Sequence, residues 1–176
     1  PNFALDYCVK KISDEQRSKL NLSSLRFLLN GAEPIRAQTL ESFYQNFKDT
    51  GLKRKALAPG YGLAEATLSI CGSSPNDSLK QLFISAESLK DHQVIICDAQ
   101  ADGAKSIVSC GHLYQNVAIV DPDTFSAVEE YTIGEIWVSG ASVAKGYWNE
   151  PKKTAEVFEA KLSGSTNLDD TNYLRT

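Results

Sequence analysis

Leu40, Phe43, Tyr44 and Phe47 recur at i, i+3, i+4 and i+7, which draws one apolar stripe along an otherwise polar helix. Pro34 suits the first turn of that helix and Gly51 stops it. Residues 3–12 carry a second helical pattern, and Ser13 with Gln16 three positions later forms a capping-box signature for a short helix reaching Leu20. The apolar run at residues 25–29 reads as a short buried strand ending at Asn30-Gly31. Residues 55–58 read as another, leading into a turn at Pro59-Gly60. Strand, helix and strand in this order predict a parallel crossover unit.

The period changes after about residue 70. Short β-rich segments at Gln81–Ser85 and residues 94–97, 106–110, 117–121 and 134–139 are separated by Gly, Pro, Asp and Ser, which predicts antiparallel strands in a small barrel or sandwich. Residues 86–89 read as helical. Asn149 is placed to cap a last helix, with Pro151 in its first turn and Ala155, Phe158 and Leu162 on one face. The predicted fold class is α/β, a parallel α/β crossover layer followed by a small antiparallel β-barrel-like subdomain.

Composition narrows the function. The 176 residues are 42% hydrophobic and 23% charged, a globular balance sufficient for one sizeable core and a smaller one. A net charge of -4, with only Lys53-Arg54-Lys55 as a basic run, argues against a nucleic-acid partner. No stretch approaches the roughly 20 apolar residues of a membrane span. Cys8, Cys71, Cys97 and Cys110 form no C-x-x-C pair and have two histidines for company, so reduced thiols in a cytoplasmic protein are expected. In Cys110-Gly111-His112 no partner is spaced to activate the thiol. The chain begins at Pro1 and has no methionine, and so reads as a processed chain or an excerpt.

Candidate chemistry concentrates in Pro59-Gly60-Tyr61-Gly62-Leu63-Ala64-Glu65-Ala66-Thr67. Glycines on both sides of an aromatic, after a strand, let the backbone approach a ligand closely where open α/β sheets bind theirs. Tyr61 offers a face for a base, and Glu65 a carboxylate suited to a hard cation such as Mg²⁺. The same residues also suit a turn with a packed tyrosine and a helix-starting glutamate. Asn30-Gly31-Ala32-Glu33-Pro34 is a second small-residue loop, and neighbouring strands would bring both to one sheet edge, although alone it is an ordinary strand-to-helix turn.

These two segments, followed by Gly134-Glu135-Ile136-Trp137-Val138-Ser139-Gly140, Gly146-Tyr147-Trp148-Asn149-x-Pro151 and Tyr173-Leu174-Arg175-Thr176, occur in the order found in the adenylate-forming superfamily of acyl-CoA synthetases, peptide-synthetase adenylation domains and luciferases. In detail the chain resembles the fatty acyl-AMP ligases, through Pro1-Asn2-Phe3-Ala4, the Asn-Gly-Ala-Glu-Pro loop, and Ala64 where most of the superfamily carries Thr.

The resemblance implies that a fatty acid is activated with ATP to acyl-AMP, pyrophosphate is released, and the acyl group passes to an acyl carrier protein of a polyketide, nonribosomal-peptide or lipid pathway. It implies that Tyr61 stacks on adenine, that Gly31, Ala32 and Glu33 line the base, that Glu65 holds Mg²⁺, and that Gly62, Leu63 and Ala64 bring backbone groups to the α-phosphate and acyl carboxylate. Asn2, Phe3 and Ala4 would sit near the acyl chain. Residues 72–105, with Leu79, Leu82, Phe83 and Ile84, resemble the insertion that disfavours CoA thiolation in that family, though a tolerated surface loop is the other reading. The implied division is 1–71 in the α/β subdomain, 72–105 in the insertion and 106–176 in the β-rich part. The Trp137 and Trp148 motifs are expected to be structural, with the Gly146-Tyr147-Trp148 turn packing on the strand at 134–140. Ser163-Gly164-Ser165-Thr166-Asn167 mimics a phosphate loop but is followed by Asp169-Asp170, and reads as polar surface. The alternatives are a fatty acyl-CoA synthetase and a catalytically silent nucleotide-binding module. The family's Gly-Asp after Tyr-x-Arg-Thr, its upstream phosphate loop and its C-terminal lid lysine are not in these 176 residues, so the chain alone is expected to be inactive.

Overall fold

The structure, a computed structural model, describes residues 1–75, 77–164 and 171–176. These fall into two compact units, Pro1–Tyr61 with Cys71–Phe83 and Lys105–His112, and Gly62–Ile70 with Ile84–Ala104 and Leu113–Thr176.

The first unit holds α1 (Asn2–Lys11), α2 (Asp14–Ser18), β1 (Leu28–Asn30), α3 (Ala37–Phe47) and the start of β2 (Leu57–Leu63). The α3 stripe is buried as its spacing predicts, with Leu40, Phe43 and Phe47 packed against Leu5, Leu52, Ala56 and Leu57 and the Phe43 and Phe47 rings stacked at 4.6 Å. Ser13 caps α2 as read. Its Oγ accepts from Gln16 N–H at 3.2 Å while Gln16 Oε1 accepts from Ser13 N–H at 2.9 Å, an arrangement that contributes about 1 kcal/mol. Gly51 closes the end of α3 at φ +87 after a 3₁₀ turn at Lys48–Thr50. β1 and β2 pair in parallel, Leu28 opposite Leu57 and Asn30 opposite Pro59, so the predicted crossover is present.

Four expectations here are corrected. α3 starts at Ala37, not at Pro34, because the Pro34 carbonyl is held by the Asn2 side chain. β1 starts at Leu28, and Phe27 and Leu29 are exposed, since a single strand can bury only alternate side chains on one face. Lys55 and Ala56 form a 3₁₀ turn, Arg54–Ala56. Pro59-Gly60 is no turn, because β2 runs straight through it to Leu63. Pro59 lacks an N–H, yet its carbonyl oxygen accepts from Ser73 N–H at 2.9 Å and Ser73 Oγ–H at 3.0 Å.

A four-stranded sheet has the order β1-β2-β3-β6, with β3 at Leu68–Gly72 and β6 at His112–Leu113. A two-stranded sheet pairs β4 (Gln81–Ser85) with β5 (Ala104–Val108). The second unit contains the sheet β7 (Asn116–Val120), β8 (Glu135–Ser139) and β9 (Leu174–Arg175), antiparallel throughout, together with α4 (Pro151–Phe158). The mixed α/β class holds, but no closed barrel forms among the described residues. Residues 94–97 make no strand and only the isolated bridge Ile84 to Ile96, with Ile95 and Ile96 exposed. Residues 86–89 form no helix, and a 3₁₀ turn lies instead at Ser88–Asp91. Asn149 does not cap α4. It sits at φ +56, the cap position falls to Glu150, and Leu162 lies beyond the helix end. Ser165, Thr166 and Asn167 of the phosphate-loop mimic, with Asp169-Asp170 after it, lie outside the described residues.

Trp137 on β8 is fully buried between Phe125 and Tyr173, with ring centroids at 5.5 and 6.2 Å. Arg175 on β9 lies over the Phe125 and Trp137 rings and clamps Glu135, Nε to Oε1 at 3.0 Å and Nη2 to Oε2 at 2.8 Å. The guanidinium holds the Glu135 carboxyl below the usual carboxylate range. A depressed folded pKa gives stability that is present above the ordinary carboxylate value and lost as pH falls through the folded one. Glu135→Gln is therefore expected to melt below wild type at pH 7, with the gap closing below about pH 4, in melting curves recorded across pH. A gap independent of pH would show that the pair acts by packing alone.

Candidate active site

In the first unit the parallel register brings Asn30-Gly31 alongside Pro59-Gly60. A Cβ at Gly31 would stand 2.7 Å from the Gly60 carbonyl oxygen, so this contact requires glycine. Ala32 turns the chain back at φ +66, and Glu33 Oε1 accepts from Phe3 N–H at 2.9 Å. That places a carboxylate at the N-terminus of α1, whose own first residues supply no side-chain cap. Asn2 is 4% exposed; its Nδ2 donates to Pro34 O at 2.5 Å and its Oδ1 accepts from Asn30 Nδ2 at 2.9 Å. Its carboxamide thus fastens α1 to the loop. Phe3 is exposed, Ala4 is half-buried, and Tyr61 is half-buried on β2.

In the second unit Gly62 and Leu63 finish β2, and Ala64–Ala66 form a 3₁₀ turn that presents Glu65. Thr67 at φ +53 and Leu68 at φ +84 reverse the chain into β3. A Cβ at Gly62 would overlap the Leu68 carbonyl oxygen, so the close approach that this glycine permits is to its own hairpin. The turn is tied down at Glu65 and two residues beyond it: Ala144 N–H donates to Glu65 O at 2.7 Å, and Thr67 Oγ–H donates to Ser142 O at 2.5 Å.

Tyr147 OH donates to Glu65 Oε1 at 2.7 Å. That hydrogen bond, then Glu65's own backbone N–H, and beyond them Lys153, hold the Glu65 carboxyl below the usual range, while partial burial opposes them. Glu65 is therefore ionised at neutral pH. The described residues contain no cluster of three or more His, Cys, Asp or Glu. A lone half-buried carboxylate suits a hard cation that completes its shell with phosphate oxygens and water. Burial pushes the Cys71 and Cys110 thiols up, so both stay protonated at neutral pH and neither is an activated nucleophile.

The Gly146-Tyr147-Trp148 turn does not seat Trp148 on the strand at 134–140, and its Tyr147 ring packs on Phe158 of α4 instead. Trp148 is 91% exposed, and Tyr147 is the residue that packs and reaches Glu65. Sequence reading missed Tyr147 as a partner of Glu65, although the motif containing it was visible.

A family model described as AMP-binding enzyme matches residues 2–148. The chain is 39% identical to a medium-chain fatty-acid acyl-carrier-protein ligase of Moorena producens, over 94% of this chain and 28% of that protein. It is 37% identical to the 4-hydroxyphenylalkanoate adenylyltransferase of Mycobacterium marinum, over 93% of this chain and 26% of that protein. The solved fatty acyl-adenylate ligase of Legionella pneumophila, in complex with acyl adenylate and pyrophosphate, superposes with a TM-score of 0.93 and 46% identity, covering 100% of this chain and 30% of that one. The chain thus spans less than a third of the length of each relative. Among the described residues no helix is long and apolar enough to cross a membrane.

Proposed function

The chain belongs to the AMP-binding enzyme family, and on that premise we propose that it forms part of an ATP-dependent fatty acyl-AMP ligase acting in the cytoplasm. A carboxylate oxygen of the fatty acid attacks the α-phosphorus of ATP. The bond from that phosphorus to the β-phosphate's bridging oxygen breaks, pyrophosphate leaves with the electron pair, and an acyl-AMP mixed anhydride remains. The observation that carries this reading is Glu65, an ionised carboxylate on the turn that ends β2, four residues beyond Tyr61.

In this reading Tyr61 stacks on the adenine, a contact of about 1–3 kcal/mol that positions the nucleotide. Gly31, Ala32 and Glu33 line the base, and Gly62, Leu63 and Ala64 turn main-chain groups toward the α-phosphate and the acyl carboxylate. Glu65 is the residue that would hold Mg²⁺. When bound, the cation supplies charge neutralisation to the phosphate oxygens during the displacement. Phe3 and Ala4 border the acyl chain, with Asn2 setting their position through Pro34 and Asn30. Residues 1–71 form the α/β part, 72–105 the insertion that favours an acyl carrier protein over CoA as acceptor, and 106–176 the β-rich part.

The test gives the full-length protein ATP, Mg²⁺ and a fatty-acid chain-length series, with a 4-hydroxyphenylalkanoate as a further acid and either CoA or an acyl carrier protein as acceptor. Fatty-acid-dependent pyrophosphate release and acyl transfer to the carrier protein are expected. Efficient acyl-CoA formation would transfer the assignment to a fatty acyl-CoA synthetase. Absence of pyrophosphate release with every acid would leave a silent nucleotide-binding module.

A further inference from the structure

Two adjacent aromatics in the 146–148 turn point to different fates. Trp148 is left to solvent, whereas Tyr147 is fixed from three sides. Its ring packs edge-on against Phe158 at 5.1 Å, Lys153 Nζ stands 4.9 Å above it, and its N–H donates to Thr154 Oγ1 at 2.9 Å. All three partners lie on α4. Gly146, at φ +140, leaves no room for a side chain, because a Cβ there would overlap the Thr154 side chain. The helix therefore determines where the Tyr147 hydroxyl ends, 2.7 Å from Glu65 Oε1. The same stretch holds the Glu65 main chain through Ala144 and the neighbouring Thr67 through Ser142. A tether on the carboxylate would be superfluous if the contact served only to attach the turn, since the main-chain bonds already do so.

We propose that Tyr147 is a positioning residue for Glu65, its hydroxyl holding the carboxylate in one rotamer so that the remaining lone pairs are presented to a divalent cation. A carboxylate accepts at about four lone-pair sites and the phenol occupies one, so the contact leaves the group able to ligate. Outer partners of this kind orient a ligand and typically change metal affinity or activity 10- to 100-fold when removed. The inference rests on the assignment of Glu65 as the magnesium ligand proposed above.

Tyr147→Phe keeps the ring against Phe158 and removes only the hydroxyl. In the full-length enzyme it is expected to raise the Mg²⁺ concentration for half-maximal fatty-acid-dependent ATP–pyrophosphate exchange roughly tenfold. The KM for fatty acid should be unchanged, and turnover should recover at saturating Mg²⁺. Water proton relaxation enhancement with Mn²⁺ and α,β-methylene-ATP reads the metal–nucleotide complex without turnover, and should weaken by the same factor. On a Glu65→Gln background Tyr147→Phe should add nothing further, which a role in packing alone would not produce. Thr154→Val, which removes the acceptor for Tyr147 N–H, should give a smaller shift in the same direction and serves if Tyr147→Phe loses the native melting transition. Wild-type metal dependence in Tyr147→Phe, or in Thr154→Val if only that variant folds, overturns the proposal. If Glu65→Gln itself leaves metal dependence unchanged, the assignment of Glu65 falls and this inference with it. If Glu65→Gln loses the metal response while Tyr147→Phe keeps it, only the positioning role falls.

Discussion

Replacing Glu65 with alanine is expected to cut fatty-acid-dependent pyrophosphate release in the full-length enzyme by at least roughly 100- to 1,000-fold, the loss that follows removal of one preorganised electrostatic contact to developing charge. The fold should survive. Glu65 is half-buried on a 3₁₀ turn held through its own carbonyl by Ala144 and through Thr67 by Ser142, and alanine keeps both of these bonds. What the substitution removes from stability is the single hydrogen bond from Tyr147. Exchange of labelled pyrophosphate into ATP, read beside a thermal melt, separates the two effects. Release at the wild-type rate would sink the magnesium role, and loss of the melting transition would mark Glu65 as a structural residue.

The second large effect is expected at Gly62. Any side chain there meets the Leu68 carbonyl oxygen across the hairpin. That oxygen cannot move away easily, because Thr67 and Leu68 already occupy left-handed backbone conformations, at φ +53 and φ +84. Gly62→Ala must therefore pry β2 from β3, at a cost of about 3 kcal/mol. It also shifts the turn that carries Glu65, so adenylation should fall further than the folded fraction does. Urea unfolding monitored together with exchange activity checks both parts. Wild-type stability in Gly62→Ala would mean that the hairpin has room that the structure denies it.

Several elements were legible from the chain alone because their signals are local. The 3.6-residue spacing of Leu40, Phe43 and Phe47, the Ser13 and Gln16 pair, Gly51 at the end of α3, and the short β-rich runs of β4, β7 and β8 all act through neighbours a few residues away. Order of motifs, with the resemblance it supports, was enough to single out Tyr61, Glu65 and the Gly31 loop.

The misreadings share a cause. Pro59-Gly60 looks like a turn, but a strand is tolerated there because Ser73 donates to the Pro59 carbonyl and Gly60 leaves room for the close-lying backbone of Cys71 and Gly72. Residues 94–97 have strand composition, yet they join no sheet, with an isolated bridge from Ile96 to Ile84 and a bond from Val94 N–H to Tyr131 O. Asn149 is a good cap by type, but its left-handed backbone moves the cap to Glu150. Composition and periodicity state what a segment can do in isolation, and pairing decides among those options.

Sequence by itself therefore determined the type of the locally signalled elements, the α/β class and the address of the candidate carboxylate. Only the tertiary structure decided how that carboxylate is held. Tyr147 lies 82 residues from Glu65 and Arg175 lies 40 from Glu135. Contacts at such separations depend on sheet register and on which way each side chain faces, and a shift of one residue reverses both.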